Sequence, residues 1–176
     1  MRRAIGMGTM MMFAVLAGPV SAQNGPETVS ATLTGGDEVP LVSTAARGTF
    51  HAEIDDEGGA VDWTLTFSGL EGTVTQSHIH VGQPFVAGGI SVWLCKTAAT
   101  AANAPAGTQD CPQSGTISGT FTASDIIGPA LQGITGETRF KELVAAMREG
   151  NAYANVHSNP SIPGEIRGQI KAGSGH

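Results

Sequence analysis

The chain has 176 residues, with nine basic side chains against fifteen acidic ones, a formal net charge of −6 and a pI near 5.2. An acidic balance of this kind argues against nucleic acid as a partner, because polyphosphate binding needs clustered positive charge. The length suits one compact domain with a sizeable core.

Arg2 and Arg3 precede a mostly apolar run from Met7 to Val20 that ends in Val20-Ser21-Ala22, a small-residue cleavage pattern. The reading is a signal peptide over 1–22, cut after Ala22, followed by one domain over 23–176. The run is short and interrupted by glycines and Pro19, which disfavours a membrane anchor, and no later segment is long enough to span a bilayer. The expected location is therefore secreted or periplasmic, with an unknown partner there. Without Arg2 and Arg3, seven basic side chains face fifteen acidic ones, a formal charge near −8.

From Val29 onward, short runs alternate apolar and polar residues between glycine, asparagine, aspartate or proline, as expected of half-buried strands. The predicted strands are Val29–Leu33, Gly48–Ile54, Val61–Phe67, Val74–His80, Gly89–Leu94, Thr116–Thr122, Ala152–His157 and Glu165–Lys171. The second and third, joined by "DDEGG", form a hairpin with Phe50, Ala52, Ile54, Val61, Trp63, Leu65 and Phe67 on one face. The fold class is all-β: a Greek-key-like β-sandwich or barrel of about eight antiparallel strands, with one short helix near the C-terminal third. That helix lies in "TRFKELVAAMREG", where Phe140, Leu143, Val144 and Met147 make an apolar stripe and Gly150 sits at a C-terminal cap. The preceding "ASDIIGPALQGITGE" reads as a loop with one helical turn. Cys95 and Cys111, sixteen positions apart, most simply pair as a disulfide in an oxidising compartment, closing a loop worth about 3 kcal/mol in the chain-entropy model. Phe85 and Trp93, in "VGQPFVAGGISVW", are expected to pack in the core; exposed, they would favour adhesion or matrix assembly through loops or a strand edge.

In "VTQSHIH" strict alternation puts Val74, Gln76, His78 and His80 on one face, opposite Thr75, Ser77, Ile79 and Val81. "YANVHS" does the same for Tyr153, Asn155 and His157. If the two strands are neighbours, three imidazoles meet, a donor set suited to copper or zinc. The bland alternative is that His78 and His80 bond loop backbone or face solvent. His51 alternates out of the hairpin core, and His176 ends the tail. Arg167 follows a Pro-Gly turn, where it either steers an anion towards a metal or pairs with Glu165 or another acid. No G-x-S-x-G elbow, Cys–His nucleophile or phosphate-cradling glycine loop is present, so no catalytic residue is assigned.

The segments "LTGGDEVP", "TAARGTF", "FSGLEGTVTQSHIHVG", "GNAYANVHS" and "PGEIRGQI" resemble the CHRD (chordin-type) domain over Val29 to Lys171. The resemblance implies an extracellular or periplasmic all-β domain acting as a binding or structural module. More distantly, the order His78, His80, His157, Arg167 is similar to that of ligands and arginine in copper-zinc superoxide dismutases. The bridging histidine and zinc loop of those enzymes have no counterpart here, so that likeness implies at most a copper-only centre acting on superoxide or a related small oxidant.

Overall fold

In the computed structural model, which describes residues 26–173, the chain folds into a single antiparallel sheet curled into a nearly closed barrel. The described strands are β1 (Glu27–Thr34), β2 (Arg47–Asp55), β3 (Ala60–Ser68), β4 (Thr73–Val81), β5 (Gly89–Lys96), β6 (Gly115–Thr122), β7 (Ala152–Asn159) and β8 (Ile166–Ala172), with one helix, α1 (Arg139–Arg148). Their lateral order is β5-β4-β7-β8-β1-β2-β3-β6. Strands far apart in sequence are therefore placed edge to edge, β4 against β7 and β8 against β1. Residues 1–22, expected to be a signal peptide, and His176 lie outside the described residues.

Alternation in β2 and β3 is strict, so Phe50, Ala52, Val61, Leu65 and Phe67 enter the barrel while Thr49, His51, Thr64 and Thr66 remain in water. Leu33, Ile79, Leu94, Phe121, Ile166 and Ile170 complete the interior. The stripe on α1 packs against β7 and β8 through Phe140, Leu143, Val144 and Met147. Beyond its end Gly150 takes φ +74°, the left-handed turn that ends a helix at little steric cost. The segment before α1 holds three short 3-10 turns, at Ala123–Asp125, Ala130–Gln132 and Gly136–Thr138, rather than one helical turn.

Two expectations need correction. In β4 the parity breaks: Thr75 is an extra residue in the pairing with β7, and this bulge turns Val74 into the core alongside Ile79. Phe85 is 78% exposed at φ +64°, on the loop between β4 and β5, whereas Trp93 is half-buried. A disulfide joins Cys95 to Cys111 and ties the loop after β5 back to that strand, where Cys111 N–H donates to Lys96 O (2.7 Å). No helix among the described residues is long and apolar enough to cross a membrane.

Candidate metal centre

The β4–β7 pairing sets His78 opposite Asn155 and His80 opposite Tyr153, with His157 opposite Gln76. Because Ile79, Ala154 and Val156 take the core side, His78, His80, Tyr153, Asn155 and His157 share the other face. That face is nevertheless buried. The loops at 83–88 and 160–165 fold across it, and all three histidines are nearly inaccessible.

The three imidazoles converge. One ring nitrogen from each of His78, His80 and His157 lies within 4.8 Å of the other two. Backbone carbonyls determine two of the tautomers: His80 Nδ1 donates to Gly88 O (3.0 Å) and His157 Nδ1 to Ile162 O (2.7 Å), since a carbonyl can only accept. Each ring therefore carries its lone pair on Nε2, the arrangement by which outer partners orient ligating histidines. His78 Nδ1 stands 3.1 Å from His157 Nε2. The loop-bonding alternative is thus met for His80, and by His157, but not for His78, whose hydrogen-bond partner is His157. The loop hydrogen bonds occupy only the outward nitrogens, and His80 Nε2 and His78 Nε2 are buried without a hydrogen-bond partner.

Burial keeps all three rings neutral, as ligation requires. Desolvation, followed by the neighbouring His157 and His80, pushes His78 down to about 2. Desolvation also takes His80 to about 4, opposed by its bond to Gly88, and it lowers His157 against the Ile162 carbonyl. Trp93 stands perpendicular to His78 with ring centroids 4.3 Å apart.

Arg167 pairs in register with Asn155 on β7, and its guanidinium lies 3.6 Å above the Tyr153 ring. The same ring stacks on His80, centroids 4.8 Å apart and 2° from parallel. Arg167 Nη2 donates to Val86 O (2.7 Å), so this cation, only 2% exposed, holds the 83–88 loop over the histidines. It forms no ion pair with Glu165. That carboxylate is buried at the other end of the cluster, accepting from Thr44 Oγ1 (2.8 Å), Glu71 N–H (2.8 Å) and the Ser158 hydroxyl. His51 sits in the open on β2, remote in register from the cluster.

Sequence reasoning left three members of this layer without a role: Tyr153, Asn155 and Glu38. The first two alternate with His157 on β7, a signal that was available. Glu38 comes from the loop between β1 and β2, which no periodicity could place.

No curated protein and no solved structure matches the chain. A family model, the CHRD domain, matches residues 29–170. Its span reaches into every strand of the barrel and takes in all of the side chains just described, and the protein belongs to the CHRD domain family.

Proposed function

We propose that this protein is an exported CHRD binding module that holds one copper or zinc ion through His78, His80 and His157. The observation that carries the reading is the convergence of three buried, neutral imidazoles, two of them held in the ligating tautomer by backbone carbonyls. Neutral imidazole suits both ions, and three such ligands leave a fourth position for a further donor. Export is supported by the disulfide, by the family and by the apolar N-terminal run. The test is titration of the purified protein with Cu²⁺ and Zn²⁺ beside a His78→Ala/His80→Ala variant. One equivalent bound tightly by the wild type and lost in the variant supports the centre; equal affinity in both removes it.

A copper enzyme acting on superoxide is the competing use of the same residues, with Arg167 guiding the anion. Its guanidinium is engaged with Val86 O and the Tyr153 face, which favours a supporting role over steering. Superoxide turnover by the copper-loaded protein separates the two. Exposed Phe85 favours a further reading, adhesion through the 83–88 loop. Loss of partner or surface binding in Phe85→Ser would support it, and unchanged binding would exclude that residue.

A further inference from the structure

We propose that the amide oxygen of Asn155 is a fourth donor to this centre and that Glu38 fixes the amide the right way round. The inference rests on the metal-binding reading above and adds an oxygen ligand from a residue with no role in it so far.

Asn155 is 1% exposed and sits on β7 between His78 on β4 and Arg167 on β8. Its Oδ1 lies 3.0 Å from His157 Nε2. That nitrogen carries no hydrogen, because the ring's proton is on Nδ1, bonded to Ile162 O. A carbonyl oxygen and an imidazole lone pair thus face each other with no hydrogen between them, whereas His78 Nδ1, 3.1 Å from the same lone pair, donates to it in one tautomer and presents a lone pair of its own in the other. Two acceptors at this separation repel unless a cation lies between them. Ligand atoms each about 2.0–2.2 Å from a common ion sit roughly 3.0–3.5 Å apart, so the spacing fits two edges of a coordination shell.

Reversing the amide would put Nδ2 on His157 and remove the conflict there. Glu38 opposes that reversal. The residue is 5% exposed, with Oε1 buried and lacking a hydrogen-bond partner, and its carboxyl approaches the Nδ2 end of Asn155 across Gly164. Gly164 has φ +138°, and a Cβ there would overlap Glu38 Oε1 and stand 2.9 Å from Asn155 Nδ2. Only glycine leaves room for the two side chains to meet. With Glu38 ionised, and so an acceptor only, an amide turned over would aim its oxygen at the carboxylate oxygens, so Nδ2 stays towards Glu38 and Oδ1 towards the imidazoles. Three imidazoles and one neutral oxygen suit a divalent ion, Zn²⁺ or Cu²⁺, better than Cu⁺, which prefers softer donors.

The test compares wild type with Asn155→Asp, Asn155→Leu and Glu38→Leu, reading Zn²⁺ affinity against a competing chelator and the EPR spectrum of bound Cu²⁺. Asn155→Asp, isosteric with a stronger oxygen donor, is expected to bind Zn²⁺ about tenfold tighter, and Asn155→Leu about tenfold weaker or worse. Both should shift the Cu²⁺ g and hyperfine values, with Glu38→Leu moving towards Asn155→Leu. Wild-type affinity and an unchanged spectrum in Asn155→Asp, folded by circular dichroism, overturn the fourth donor while leaving the three-histidine centre standing. A wild type that binds neither ion overturns both. Asn155→Asp keeps the shape of the side chain, so the experiment reads out even where Asn155→Leu does not fold.

Discussion

The barrel has two polar outer faces, and they are built differently. Across β1, β2, β3 and β6 the outward residues lie open to water: Thr32, Thr49, Thr66 and Thr116 stand in register on four adjacent strands, with His51 and Thr64 beside them. Such a face is what an antiparallel sheet adopts when nothing covers it, and β-branched hydroxyl residues suit it. Across β4, β7 and β8 the outward residues are equally polar but closed off by loops, and the chain buries His78, His80, Tyr153, Asn155, His157 and Arg167 there. Burying polar groups costs free energy unless each is paired, and Glu38 Oε1, His78 Nε2 and His80 Nε2 are not. A cost avoided on one face and accepted on the other is what makes the second the candidate functional face.

The sharpest way to break the comparison is to treat the two faces alike. His78→Ala/His80→Ala should weaken Cu²⁺ or Zn²⁺ binding at least about 100-fold, the upper range for outer-partner loss and a lower bound for losing ligands. His51→Ala, on the open face, should leave binding unchanged in the same titration.

Next in size is the lid of the closed face. Burial alone would push the Glu165 carboxyl up, but hydrogen bonds from Ser158, the backbone of Glu71 and Gly72, and Thr44 outweigh it and hold it below its ordinary 4.5. Its contribution is therefore complete above pH 4.5 and is lost as pH falls below that value through the folded-state pKa. Glu165→Ala should cost about 3 kcal/mol in denaturant unfolding, because it strands the buried Ser158 hydroxyl and the part-buried Thr44 and Glu71 donors. Glu165→Gln should flatten the acid limb of the stability profile. A variant as stable as wild type would show that this lid is not held by the carboxylate.

Opening the Cys95–Cys111 loop with a Cys95→Ser/Cys111→Ser pair should cost about 3 kcal/mol on the chain-entropy model, read from urea midpoints. The smallest effect belongs to Phe85→Ser, expected within about 0.5 kcal/mol of wild type, since the ring is exposed. A larger loss would mean that Phe85 has packing partners beyond the described chain.

All eight strands and α1 were legible in the sequence because period-two and helical apolar patterns report which side faces a core. Alternation likewise put His157 on one face with Tyr153 and Asn155. It mispositioned Val74, because a bulge such as that at Thr75 leaves no mark in apolar periodicity. It misjudged Phe85 because an aromatic in a glycine-rich loop has no strand to orient it. The burial of the histidine face was invisible for a related reason: outward polar residues on a strand look the same whether water or a loop lies above them. Glu38 and Arg167 join the cluster through tertiary contacts between segments far apart in the chain, and the lateral order β4-β7-β8 becomes readable only once the sheet has formed.

The central claim is that one transition-metal ion sits among His78, His80 and His157, and X-ray absorption spectroscopy of the zinc-loaded protein tests it most directly. The expected spectrum shows three imidazole nitrogens about 2.0–2.1 Å from a single zinc per chain, and loses that imidazole scattering in His78→Ala/His80→Ala. A shell without imidazole, or one identical in the variant, would contradict it.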